Sequence, residues 1–184
     1  MEKLLIVVDM IKGFVTEGAM HDEGIGKIIP ALENYINEYN KEESKVVFIK
    51  DTHDENAVEF KSFPPHCLRG TSESELVNEF MKYEKEDNIF EKNSTSAMFA
   101  PGFIDYIDSL TDLKEIVIGG CCTDICVLNL AIPLKTYLNQ KDRDVEIIVP
   151  KSIVETYHAE DVHDRDEYNN MAFKFLSLSG IKVI

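Results

Sequence analysis

Basic residues are scarce in this 184-residue chain: 19 lysines and arginines stand against 34 aspartates and glutamates, a formal net charge of −15 at pH 7. Nucleic acid and anionic membrane would be repelled by such a surface, so neither is expected as a partner and a small molecule is. Long hydrophobic runs are also missing. The apolar run near the N-terminus, Leu4 to Val8, is far shorter than a signal-peptide core or a membrane span and ends in Asp9, which predicts a cytoplasmic protein. The four cysteines, at 67, 121, 122 and 126, lack the spaced framework of small secreted proteins. A chain this size can build its core without staples, so reduced thiols are expected. Adjacent Cys121 and Cys122 followed by Cys126 do not give the paired spacing of a structural zinc site. No repeat, low-complexity tract or linker divides the sequence, and its length suits one domain spanning residues 1–184.

What is present is an alternation of short apolar runs with amphipathic stretches, the pattern of a mostly parallel sheet with helices on both faces. Six strands are predicted: Leu4 to Val8, Val46 to Lys50, Asn88 to Glu91, Glu115 to Gly119, Val145 to Val149 and Ile181 to Ile184. The expected fold class is α/β, a three-layer α/β/α sandwich around a six-stranded sheet. Helical spacing joins Ile25, Ile28, Ile29, Leu32, Ile36 and Tyr39, and on a shorter element Leu76, Val77 and Phe80. Phe103, Ile104, Ile107 and Leu110 repeat it, as do Val127, Leu128 and Ala131, and later Met171, Phe175 and Leu178. Pro133 falls inside the fourth of these and should kink or break it.

Three residues sit at or just past predicted strand ends, where ligands of parallel sheets bind: Asp9, Lys92 and Cys126. Taken alone, Asp9 could cap a turn, Lys92 could be solvated, and Cys126 could be one more inert buried cysteine. The stretch EIVIGGCCTDICVLNLA, Glu115 to Ala131, sharpens the last case. A strand breaks at Gly119 and Gly120, Thr123 or Asp124 offers a helix cap, and Cys126 falls in the first helical turn, where the helix dipole favours a thiolate. The long connection from Asp51 to Ser72 is a second place to look. Asp51 and His53 can point the same way and His66 can return to them, a set suited to a catalytic metal, although loop histidines are often merely exposed. His21, His158 and His163 lie among charges without partner spacing and read as solvated surface; the acidic stretch from Glu155 to Glu167 reads as a solvated loop and helix start, with the rim of the pocket mouth or a subunit contact as the alternative.

The motifs IVVDMIKGF, DTH, FPPHCLRGT, EKNSTSAMF and GGCCTDICV, in this order along nearly the whole chain, resemble the isochorismatase-like cysteine hydrolases, and among them the nicotinamidases. The resemblance implies a Rossmann-type topology and a catalytic triad of Asp9, Lys92 and Cys126. It implies a cis peptide joining Cys121 to Cys122, with the N–H groups of Cys122 and Cys126 as the oxyanion hole. It also implies a divalent metal, zinc or else iron or manganese, on Asp51, His53 and His66, with Glu59 as a further ligand. Aromatic walls at Phe14, Phe63 and Phe99 would sandwich a flat aromatic amide, with a place in the core as the alternative for each. The activity implied is hydrolysis of nicotinamide to nicotinate and ammonia through a cysteine thioester, and a homo-oligomer is expected. Two rivals stand beside it. One is a metal-independent relative acting on another small amide or carbamoyl compound, or on isochorismate; the other is a binding protein without turnover.

Overall fold

The computed structural model describes residues 2–41 and 44–184. Seven parallel strands form one sheet: β1 (Glu2–Val8), β2 (Lys45–Asp51), β3 (Ile89–Lys92), β4 (Leu113–Cys121), β5 (Glu146–Val149), β6 (Val154–Glu155) and β7 (Lys182–Val183). Their order is β3-β2-β1-β4-β5-β7, with β6 pairing the upper end of β4 beyond the reach of β5. Leu4 through Val8 are all fully buried, which is why β1 reads as an unbroken apolar run rather than an alternating one. Successive side chains still feed opposite faces. Leu4, Ile6 and Val8 pack with the helices α3 (Phe103–Ser109), α4 (Leu128–Gln140) and α5 (Arg165–Leu178), while Leu5 and Val7 pack with α1 (Lys12–Val15) and α2 (Ile29–Lys41). The result is the expected three-layer sandwich, with one strand more than predicted. The extra strand, β6, has two residues, too few to show any periodicity in sequence.

Three local expectations are corrected. Leu76, Val77 and Phe80 are buried but not helical. The Val77 N–H donates to the Met10 carbonyl and the Lys12 N–H to the Glu75 carbonyl, so the segment is tied to the chain after β1 and closes only a single turn on itself, from the Phe80 N–H to the Val77 carbonyl. On α5 the apolar residues Met171, Phe175 and Leu178 are exposed, and Ala172 and Leu176 face the core. Pro133 does not break α4. The carbonyl that its missing N–H leaves free belongs to Asn129, and the Ser96 hydroxyl donates to it at 2.7 Å. No helix among the described residues is long and apolar enough to cross a membrane.

At Gly120 the two central strands nearly touch. Its φ is +114°, and a Cβ there would collide with the Val8 carbonyl, so only glycine lets β4 run this close to β1 at the end where both strands stop.

Candidate active site

Three adjacent strand ends supply the charged centre. Register pairs Asp51, the last residue of β2, with Lys92, the last of β3, and Asp9 follows β1 between β2 and β4. Asp9 takes a left-handed backbone (φ 51°), uncommon outside glycine though tolerated by aspartate, and its carbonyl accepts from the Cys121 thiol at 3.1 Å. Lys92 Nζ lies 2.9 Å from Asp9 Oδ2, 2.8 Å from Asp51 Oδ1 and 3.7 Å from Cys126 Sγ. All four residues are buried. One ammonium thus faces two carboxylates and a thiol out of water.

The two carboxylates respond in opposite directions. Burial raises Asp9 to about 6, with Lys92 opposing the rise and Asp51 adding to it. Burial would raise Asp51 too, but the Lys92 ammonium against its Oδ1 opposes that and holds Asp51 well below the carboxylate range. Burial pushes the Cys126 thiol up, only partly countered by Lys92, so the resting group is a thiol beside a carboxylate poised to take its proton. This departs from the dipole-stabilised thiolate expected from sequence. Cys126 lies not in the first turn of an α-helix but in a π-helical turn, Thr123–Val127, that leads into α4. Neither Thr123 nor Asp124 caps it.

The long connection folds back on itself as a short ladder. The His53 N–H donates to the Cys67 carbonyl and the Arg69 N–H to the His53 carbonyl, which returns His66 to the end of β2. Ligand atoms of Asp51, His53, Glu59 and His66 all lie within 4.8 Å of one another. His66 Nδ1 is 2.8 Å from the Pro64 carbonyl, which can only accept, so the proton of the neutral ring sits on Nδ1. Its Nε2 lone pair then faces Asp51 Oδ2 at 3.2 Å, acceptor against acceptor. His53 repeats the arrangement, with Nδ1 2.7 Å from Asn93 Oδ1 and Nε2 3.0 Å from the same Asp51 oxygen. Lone pairs converging on one buried point fit a divalent cation, and the outer hydrogen bonds fix both imidazoles in the ligating tautomer.

Above the charged centre opens a cavity of about 360 Å³. Cys126, Cys122, Asp51 and His66 line its floor, and Phe14 and Phe63 its sides, their rings 5.7 and 6.3 Å from that of His66. The peptide between Cys121 and Cys122 is cis. Residues 3–181, which include every one of these groups, match the isochorismatase domain.

The chain belongs to the isochorismatase family. It is similar to Nicotinamidase 1 of Arabidopsis thaliana, 32% identical over 140 residues, covering 68% of this chain and 57% of that protein, less than two thirds of its length. The fold matches a crystal structure of a pyrazinamidase/nicotinamidase from Streptococcus mutans UA159 at a TM-score of 0.83, with 25% identity and both chains covered in full. It also matches the pyrazinamidase of Pyrococcus horikoshii in complex with zinc, at a TM-score of 0.78 and 24% identity, covering 100% of this chain and 98% of that one.

Within this family framework the structure brings together the residues predicted for the triad, the metal group and two of the three aromatic walls. Phe99 is the exception. It ends a short 3-10 turn, Ala97–Phe99, is 81% exposed, and lines neither cavity nor core. Its place as a wall opposite Phe14 and Phe63 is not filled from that loop. Tyr157 lines the cavity instead, delivered by β6, so the alternative that the acidic stretch rims the pocket holds at this residue, although nothing in the sequence singles out Tyr157 or shows that the stretch crosses the turn that holds Cys126. Phe60 is a further aromatic of the site that the sequence reading does not single out: its ring meets those of His53 and His66 at 5.2 and 5.7 Å, and its spacing from His66 is the available signal. His21 and His158 are exposed as expected, yet both stand at the cavity mouth. His163 is the clear correction. It is buried at 3% exposure, its Nε2 is 2.9 Å from Asp124, and its ring lies between two tyrosines that shield it from solvent.

Proposed function

We propose that this protein, taken as one catalytic domain, is a metal-dependent nicotinamidase that hydrolyses nicotinamide to nicotinate and ammonia through a thioester on Cys126. The observation that carries the reading is the single ammonium of Lys92 shared by Asp9, Asp51 and the approach to Cys126, buried beneath a cavity lined by Cys126 and by Asp51, Glu59 and His66 of the four-residue ligand group. The similarity to nicotinamidases supports the choice of substrate.

Asp9 accepts the Cys126 proton as Sγ attacks the carboxamide carbon, and Lys92 offsets the negative charge that then resides on carboxylate and thiolate in turn. The carbonyl oxygen gains the electron pair and is met by the N–H groups of Cys122 and Cys126; losing one such donor typically lowers the rate on the order of 100-fold. Asp9 returns its proton to the departing nitrogen, which leaves as ammonia. Asp9 next takes a proton from water as its oxygen attacks the thioester carbon, and the sulfur leaves with that proton restored. Phe14, Phe63 and Tyr157 orient a flat ring over this centre and keep bulk water from it. A divalent cation on Asp51, His53, His66 and Glu59, zinc in the first instance and iron or manganese as alternatives, would supply an electrophilic anchor for the pyridine nitrogen.

The test is ammonia release from nicotinamide by purified protein loaded with divalent metal. Turnover that disappears in Cys126→Ala is expected, and no turnover with any of the three metals removes the proposal. A metal-independent amidase would instead work undiminished after chelation, and a protein without turnover would show Cys126 no more reactive to a thiol reagent than Cys67.

A further inference from the structure

The cluster around His163 takes no part in the chemistry described, yet it touches the site from two sides. His163 Nε2 meets Asp124 Oδ2 at 2.9 Å, and Asp124 sits two residues before Cys126 in the same π-helical turn. The other oxygen of that carboxylate accepts from the Thr156 hydroxyl at 2.5 Å. His163 Nδ1 meets the Tyr157 carbonyl at 3.0 Å, and Tyr157 is a wall of the cavity. The imidazole also stacks flat on the Tyr157 ring, 3.9 Å between centroids and 14° between planes, with the Tyr168 ring on its other face at 3.7 Å and 26°. Each ring nitrogen stands within hydrogen-bond distance of an oxygen, so turning the ring over would break its contact with Asp124 and its contact with Tyr157, and the two tyrosines leave it no room to swing. Its own backbone is tied by two hydrogen bonds with Ala159, and the next residue, Asp164, caps α5 by accepting from the Glu167 N–H at 2.9 Å.

We propose that His163 is a positioning residue of this site: through Asp124 it holds the turn that carries Cys126, and through Tyr157 it holds the facing wall, so that one imidazole sets the spacing between nucleophile and substrate ring. This rests on the reading of Cys126 as the nucleophile. The two linkages are separable. Hydrogen bonding to Asp124 acts on the nucleophile turn and so on the chemical step; stacking under Tyr157 acts on ring binding and so on KM.

Two variants read them apart. His163→Phe keeps a ring between the tyrosines but offers Asp124 no polar contact; in folded protein, kcat for ammonia release is expected to fall roughly 10- to 100-fold with KM little changed. Alkylation of Cys126 by iodoacetamide, followed by peptide mass spectrometry, should slow in parallel. His163→Gln retains a donor but no ring, and is expected to keep most of kcat and of the alkylation rate while KM rises; it also serves if the Phe variant does not fold. A residue that merely fills space would lower the melting temperature in both variants and leave kinetics and alkylation at lower temperature alone. Folded His163→Phe within about twofold of wild type in both kcat and alkylation rate overturns the proposal, as does a Gln variant with the kcat loss expected of Phe. Should wild type release no ammonia from nicotinamide, the proposed activity falls, and the alkylation rates alone decide the role of His163.

Discussion

Asp9 and Asp51 share the ammonium of Lys92, yet burial drives one up to about 6 and the lysine drives the other down. A base poised near 6 loses its acceptor form as pH falls, so kcat/KM for amide hydrolysis should decline on the acid side through about pH 6. The same shift bears on stability with a definite sign. A carboxyl whose folded value lies above its unfolded one favours folding below about pH 4 and loses that contribution as pH rises through 6. Near neutrality the buried Asp9 charge therefore works against the fold. Asp9→Asn is expected to abolish ammonia release while melting no lower than wild type at pH 8, whereas Asp51→Asn, removing a group whose depressed value stabilises the fold above the carboxylate range, should melt lower. Thermal unfolding of both variants across pH checks this, and an Asp9→Asn protein several degrees less stable at pH 8 would contradict it. Of these residues, Asp9, Asp51, Lys92 and Cys126 are legible in sequence because each stands at or near a strand end and within a motif that resembles the family's, whereas periodicity alone leaves each with a bland alternative. Tyr157 and His163 are not, because their importance comes from a crossing of two segments far apart in sequence.

At the scale of elements, α4 and the loop before α3 are coupled by one hydroxyl. Ser96 donates to Asn129, the carbonyl that Pro133 leaves without a helical partner. Ser96→Ala should cost about 1 kcal/mol, the ordinary value of a hydrogen bond plus part of the cost of stranding an acceptor. In a Pro133→Ala background residue 133 regains its N–H, so the same Ser96→Ala change should cost markedly less. Denaturant unfolding of the two single variants and the double variant measures that coupling, and strict additivity would remove the explanation. The missing donor at Pro133 is plain in the sequence; its remedy, a hydroxyl 37 positions earlier in the chain (residue 133 against residue 96), is not. The failure at Leu76 to Phe80 has the same origin. Its apolar spacing suits a helix turn, but Met10 and Lys12 take its hydrogen bonds.

For the molecule as a whole, metal and fold are linked by mass action. A cation that binds the assembled group of Asp51, His53, Glu59 and His66 and not the unfolded chain stabilises by about 2.7 kcal/mol when present at 100 times its dissociation constant. In a chain of this size that corresponds to roughly 5 to 10 °C of melting temperature. Protein stripped with a chelator should melt lower by that order and recover on adding zinc, iron or manganese, with the shift absent in His66→Ala. Differential scanning fluorimetry with each metal makes the comparison, and an equal response in wild type and His66→Ala would place the metal elsewhere.

The sequence by itself determined the layers, the parallel strands, and the polar residues standing at their ends, because hydrophobic periodicity and strand termini are local properties of a chain. Tertiary structure decided which of those residues share a charge, since the pairing of Asp9 up and Asp51 down depends on one lysine arriving from β3 with water excluded. It also decided which aromatic rings form the walls. Phe99 is turned out to solvent, and Tyr157 is turned in because β6 docks beside β4 and carries its loop across the turn that holds Cys126, a contact that no spacing along the chain records.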